Sequence, residues 1–336
     1  MSLHKETDEQ TLKDVIELKT TQNAMQAESK ACVRTPWKKK LNKVTRNWVL
    51  YLFLLPTLIY LLIFHYWPMY GVQIAFRNFK PTKGIWGSPW VGMKNFDKFF
   101  HSYMFKDLLT NTIVLSVYQI VASFAFPILL ALLLNYCVSN KLRKVTQMVT
   151  YAPHFISTVV LVGMLNVFLS ESGIINHLLN LLGLRSVPFL SDAGMFRHIY
   201  VWSHIWQRTG YNSVIYIAAL AGVNPELHEA AIVDGANKLQ RILHIDLPAI
   251  MPTAIILLIM STGNMLSLGF EKVYLMQNDL NLGVSEIIST YVYKIGLLNA
   301  QYSYSTAIGL FNNVINLVVL LTVNKIADKV SGTSLM

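Results

Sequence analysis

The sequence predicts an all-α integral membrane protein with six spanning helices, and three observations carry that reading. Apolar residues make up 53% of the 336-residue chain and charged ones only 14%, whereas soluble globular proteins carry nearer a quarter charged. The mean hydropathy is +0.42. Six stretches, 48–64, 109–134, 149–169, 199–221, 250–268 and 306–323, are long and apolar enough to cross a bilayer, which needs about 20 residues each.

Residues 1–46 precede the first span. They begin polar and mixed in charge with no apolar core, so they read as a cytosolic tail and not as a cleavable signal peptide. The tail closes on Arg34, Lys38, Lys39, Lys40, Lys43 and Arg46 with no acid among them. Positive charge ahead of a span stays in the cytosol, so the amino terminus is expected inside. This run reads as a topology determinant and lipid-headgroup contact, not as a nucleic-acid site. Tyr66 and Trp67 supply an aromatic belt after the first span, and Pro56, Pro127 and Pro153 fall within or beside spans, where neighbouring helices can satisfy the freed carbonyls. Six crossings through a membrane domain at 47–327 place the basic 141–144 loop, the loop after the fourth span and the 328–336 tail inside. Cys32 and Cys137 both fall on that side, so no structural disulfide is expected, and neither has the companions of a metal site.

The fourth span is the most polar, with Trp202, His204, Trp206, Gln207, Arg208, Tyr211 and Asn212. Arg208 lies about nine residues in, roughly 13 Å, close to the midplane. A charge there is costly unless it faces water or a partner group, which makes it a functional candidate. Trp206 and Tyr211 offer flat faces on which pyranose rings stack, and Gln207 and Asn212 can bond hydroxyls; Asn264 in the fifth span is a similar candidate. In the last span Gly309, Asn312, Asn313 and Asn316 share one face, a pattern that glues helices together in lipid more often than it binds sugar. His154 and His198 stand apart from other ligand types and read as core or interfacial. Between spans five and six, residues 284–295 recur at helical spacing with Gly296 after them, an amphipathic outer helix.

The most informative stretch is 224–248. Asn224 can cap a helix start, Pro225 suits the first helical position, Glu226 suits the positive end of the dipole, and Gly235 is a natural stop. A second segment from about 237 to 246 is expected to end before Pro248. Two short helices meeting at a glycine make an elbow that Ala230 and Ala231 allow a partner to approach closely. The run EAAIVDGANKLQRILHIDLP, residues 229–248, resembles the EAA loop of binding-protein-dependent ABC importer permeases. Glu229, Ala230, Ala231, Asp234, Gly235, Ala236, Ile245, Leu247 and Pro248 match that pattern, and Ile242 stands where an aromatic is common. Residues 70–100, 266–297 and 303–336 look like the polysaccharide and complex-oligosaccharide permeases of Gram-positive bacteria, the LplB-like branch. The resemblance implies a type I importer permease fold in the bacterial cell membrane. It also implies a related second permease, two copies of a cytosolic ATPase and a lipid-anchored extracellular sugar-binding protein. On that reading Glu229, Ala230, Ala231, Asp234, Gly235 and Ala236 couple the chain to the ATPase, and none of them is catalytic.

No Gly is followed by Lys anywhere in the chain, so it carries no Walker A loop. ATP and Mg are therefore expected on the partner ATPase, with no cofactor in this chain. The competing class is a self-sufficient secondary transporter, which calls for intramembrane carboxylates or similar ion-coupling groups. The six stretches as drawn contain no Asp or Glu. No paired carboxylates, metal cluster or nucleophile–base set appears in them to suggest an enzyme.

Overall fold

The computed structural model describes residues 48–263, 265–266 and 269–331, with the backbone alone for 330 and 331. The tail 1–46 lies outside the described residues, as do Asn264 and the last five residues. Regular structure among the described residues is helical, apart from isolated antiparallel bridges pairing Arg77 with Trp90 and Lys80 with Gly84. The chain divides into two units, one ending at Tyr70 and the other starting at Gly71.

In the first unit, α1 (Trp48–Leu61) is apolar on every side and buries none of its residues. A helix of that composition belongs in lipid or against another chain. It passes into a π turn, Leu62–Tyr66, two residues ahead of Pro68. The same device recurs at Ile242–Asp246, two residues ahead of Pro248. Proline cannot donate to the preceding turn and its ring crowds the carbonyl four residues back; a widened turn there keeps the helix running.

The second unit opens with short turns and α2 (Lys94–Phe100), then α3 (Phe105–Asn135), 31 residues with Pro127 inside. Next come α4 (Asn140–Tyr151), a 3-10 turn at Ala152–Phe155 and α5 (Thr158–Phe168). The third stretch expected to span, 149–169, is therefore not one straight helix: the segments Asn140–Phe155 and Thr158–Phe168 meet at 100°. Pro153 at the start of the turn and Ser157, whose hydroxyl caps α5 through Val160 N–H at 3.3 Å, cause the break. After α6 (Ile174–Leu181) comes α7 (Ala193–Ala221), 29 unbroken residues capped by Asp192.

The chain then turns through α8 (Pro225–Val233) and α9 (Lys238–Arg241), and the second π turn leads into α10 (Leu247–Thr262). The segment expected to end before Pro248 instead continues, so that Lys238–Thr262 is a single 25-residue helix. It stops at Thr262, short of the 268 expected. Beyond it lie α11 (Phe270–Met276), α12 (Ile288–Tyr293) and α13 (Tyr302–Ser331). The predicted amphipathic helix at 284–295 is replaced by a turn at Leu282–Ser285, then α12, then a π turn at Lys294–Leu298 that contains Gly296.

Among the described residues four helices are long and apolar enough to cross a membrane, Trp48–Phe76, Phe105–Asn135, Lys238–Thr262 and Tyr302–Lys329, and the bent pair makes a fifth if taken as one span. α7 has the length but not the apolarity.

Packing centres on α3 against α7. Leu115 and Ala122 meet Phe196, Tyr200, Val201 and Ile205, and lower down Ile128, Ala131 and Leu132 meet Tyr216 and Leu220 with Ile250 and Ala254 of α10. At the far end Phe99, Leu108, Ile288, Tyr304 and Ile308 close α2, α3, α12 and α13 together, which buries the apolar face that the 284–295 periodicity foreshadowed. Gly210 lets α7 pass directly over the backbone of Thr150 at the end of α4, since a Cβ at 210 would overlap the Thr150 carbonyl. On α13, Asn316 Oδ1 accepts from Leu266 N–H at 2.9 Å and Asn312 Nδ2 donates to Leu266 O at 3.4 Å, both in buried positions. These two asparagines pack the segment between α10 and α11 against α13, a packing role but not the helix-to-helix bond their spacing suggested.

Candidate functional site

The elbow forms as its residues dictate. The Asn224 side chain accepts from Glu226 N–H at 3.1 Å, with Pro225 in the first turn. At the other end Gly235 adopts φ +80. Ala236 N–H then reaches Ala231 O at 2.8 Å and Gly235 N–H reaches Ile232 O at 3.0 Å, the paired bonds of a left-handed glycine stop. Asn237 starts α9 with a reciprocal capping box: its side chain accepts from Gln240 N–H at 2.9 Å, and Gln240 Oε1 accepts from Asn237 N–H at 2.7 Å. So local bonds fix where α8 starts and where it stops. No residue of α8 is buried, and Leu227, Ile232 and Val233 are 54%, 56% and 86% exposed. Glu229, Ala230, Asp234 and Gly235 are exposed, while Ala231 and Ala236 are half-buried. Among the described residues Glu229 makes no ion pair with Lys238 or Arg241. This is a short, capped, partly apolar surface that the described residues leave largely uncovered.

Beneath the elbow sits a polar contact that sequence reasoning missed. Asp246, the last residue of the π turn, has a fully buried side chain. Its Oδ2 accepts from Tyr136 OH at 2.6 Å, and its Oδ1 lies 3.3 Å from His228 Nε2 of α8, near enough for a charge contact but not aligned as a hydrogen bond. The Arg241 guanidinium carbon stands 5.6 Å from the centre of the Tyr136 ring. Tyr136 is one residue past α3, and burial, with the Asp246 carboxylate behind it, pushes its hydroxyl up to about 12, so it remains a donor throughout the physiological range. The one available signal was a lone acid set between Ile245 and Leu247.

The polar residues of α7 scatter. Gln207 is buried and donates to Ile156 O at 2.8 Å, bracing the break between α4 and α5. Arg208 Nη1 lies 3.2 Å from His154 Nδ1, and the His154 ring stacks on Tyr211 with centroids 3.8 Å apart. His154 thus packs on Tyr211 and faces the guanidinium, a packing role with no metal-ligand cluster around it among the described residues. Trp206 and Trp202 line an apolar groove of about 340 Å³ with Leu161, Leu165 and Phe168 of α5. Of the named candidates among the described residues, Asn212 alone lines the cavity of about 400 Å³ between α3, α7 and α10, whose wall mixes polar and apolar groups. There it joins Gln119, Ser123, His204 and Ser261. Gln119 Nε2 stands 3.3 Å from His204 Nε2, while Gln119 Oε1 and Ser123 Oγ are buried without a hydrogen-bond partner among the described residues. Unmet polar atoms just behind a cavity wall are a cost that a small rearrangement on ligand binding could remove. Gln119 and Ser123, four apart on the apolar α3, were the signal available in the sequence.

Comparison with known proteins places this architecture. Residues 123–332 match the family described as Binding-protein-dependent transport system inner membrane component. The chain is 45% identical over 281 residues to Protein LplB of Bacillus subtilis (strain 168), covering 83% of this chain and 88% of that protein. It is 43% identical over 293 residues to the polygalacturonan/rhamnogalacturonan transport system permease protein YteP of the same organism, covering 87% and 91%. Among solved structures it resembles a bacterial ABC transporter involved in the import of the acidic polysaccharide alginate, with 40% identity, a TM-score of 0.82 and coverage of 87% of this chain and 99% of that one. A second structure, the alginate ABC transporter in complex with alginate pentasaccharide-bound periplasmic protein, matches at the same identity and TM-score over 88% and 99%. The chain belongs to the binding-protein-dependent transport system inner membrane components, and is a transporter subunit, not an enzyme.

Proposed function

We propose that this chain is one of two membrane-spanning subunits of an ATP-driven importer of acidic oligosaccharides. In this reading it crosses the bacterial cell membrane six times, α7 and the α4–α5 pair included, with both termini in the cytosol. The observation that carries it is the elbow: a preformed, exposed, partly apolar helix between membrane helices, in a chain with no phosphate-binding loop. α8 docks in a groove of a cytosolic ATPase through Leu227, Glu229, Ala230 and Val233, and closure of the ATPase pair moves it. A homologous permease completes the pathway, and an extracellular binding protein delivers the sugar, in line with the periplasmic protein seen with the alginate transporter.

Arg208 supports an acidic cargo. Its Nη1 faces His154, while Nε and Nη2 have no protein acceptor among the described residues; a guanidinium so placed can grip a carboxylate with two parallel bonds. One relative is named for polygalacturonan and rhamnogalacturonan, and one similar solved structure for import of the acidic polysaccharide alginate. The test is uptake of trigalacturonate against a neutral trisaccharide by the four-part system. Arg208→Gln should cut uptake of the acidic sugar about tenfold more than that of the neutral one, and Arg208→Lys should rescue poorly because a point charge lacks the fork. Equal losses for both sugars, with the two permeases failing to assemble, would assign Arg208 to the subunit interface instead.

A further inference from the structure

We propose that the contact from His228 through Asp246 to Tyr136 is the link that hands movement of the elbow to the walls of the cavity. The inference rests on the reading of α8 as the element the ATPase moves.

A short exposed helix can move without consequence unless something ties it to the bundle. His228 and Ala231 are the half-buried positions of α8, and the others are exposed. Among the described residues His228 makes the one close side-chain contact of α8 to a buried acid, Nε2 standing 3.3 Å from Asp246 Oδ1, an ion pair when the imidazole is protonated. Asp246 is held on its other oxygen by Tyr136 at 2.6 Å, across 110 residues of sequence. The two ends of this contact are the foot of α10, which follows Asp246 directly, and the end of α3, which Tyr136 closes. Both helices wall the cavity: Gln119, Ser123 and Pro127 come from α3, and Leu257, Leu258 and Ser261 from α10.

A fully buried carboxylate is costly, and removing one partner leaves the other charge or dipole unmatched. The contact therefore resists opening when α8 is pushed, and the push displaces α3 and α10 with it. Arg241, over the Tyr136 ring, and the capping box that fixes α9 hold the geometry from the third side. His228, Asp246 and Tyr136 are positioning residues; none of them touches sugar or nucleotide.

The test reads the cavity without needing the cargo. In a Cys32→Ser, Cys137→Ser background, Ser123→Cys is introduced and labelled by a membrane-impermeant charged maleimide. Labelling rates are measured in the purified complex with its ATPase, with and without ATP plus vanadate, while ATP hydrolysis is followed in parallel. The parent complex should show a clear change in labelling on trapping. With Tyr136→Phe, which removes one oxygen from the contact, that change should shrink about tenfold while hydrolysis continues. Asp246→Asn should behave alike, and the double variant should lose no more than the stronger single one, the mark of a shared contact. A Tyr136→Phe complex that keeps the full labelling change overturns the inference, whether or not Asp246→Asn assembles. So does a parallel fall in hydrolysis and labelling with their ratio intact. No change in the parent itself would instead sink the reading of α8 as the moving element.

Discussion

Gly235 shows how much one backbone angle carries. At φ +80 it stops α8 and aims the chain into Asn237, whose cap begins α9. A Cβ at 235 would meet nothing within 4 Å, so the constraint is conformational and not steric crowding from neighbours. Gly235→Val should cost about 1–3 kcal/mol locally, which the elbow can relieve by swinging out of line. The protein should still reach the membrane, and uptake per ATP hydrolysed should fall several-fold. Normal uptake per ATP in Gly235→Val would mean the elbow angle is irrelevant to coupling. This residue was legible in the sequence because glycine's freedom is a property of a single position. Asp246 was not: a buried acid and a half-buried tyrosine far apart in the chain become a pair only when α3 and α10 are side by side.

At the scale of elements, α7 and α4 approach closely at one joint. Gly210 passes over the Thr150 backbone, and Gln207, one turn earlier, holds the Ile156 carbonyl freed by the break. The obstruction to a larger residue is backbone, which cannot rotate away. Gly210→Val should therefore destabilise by about 1–3 kcal/mol, seen as a lower midpoint for thermal denaturation of the purified complex. An unchanged midpoint would show that α7 and α4 do not meet this closely. The same joint explains where periodicity failed. Residues 149–169 are apolar enough to span, and hydropathy alone cannot see that Pro153 and Ser157 turn the chain through 100°. At 242–248 the error ran the other way: Pro248 signalled a stop, but the π turn accommodated it and the helix continued.

For the whole molecule, the account joins a surface and a cavity. The surface is α8, exposed and already shaped; the cavity lies between α3, α7 and α10, and among the described residues two polar atoms behind its wall are unmet. The elbow was readable in advance because capping, proline and glycine rules are local. The cavity was readable only in part, through Asn212, because His204, Gln119 and Ser123 converge from two helices and their meeting depends on packing. Of the other polar residues on α7, Gln207 braces the fold, and Arg208 with Tyr211 forms a separate cluster around His154.

The central claim is that uptake is driven by ATP hydrolysed on another chain and delivered at α8. The most direct measurement is uptake of trigalacturonate into vesicles holding the two permeases and the ATPase, with the binding protein supplied on the opposite side from ATP. Ion gradients are collapsed by ionophores. The account predicts uptake that persists without gradients, stops without ATP, and is lost when Glu229→Lys weakens ATPase recruitment. Uptake that follows an ion gradient and continues without ATP or the ATPase would contradict it.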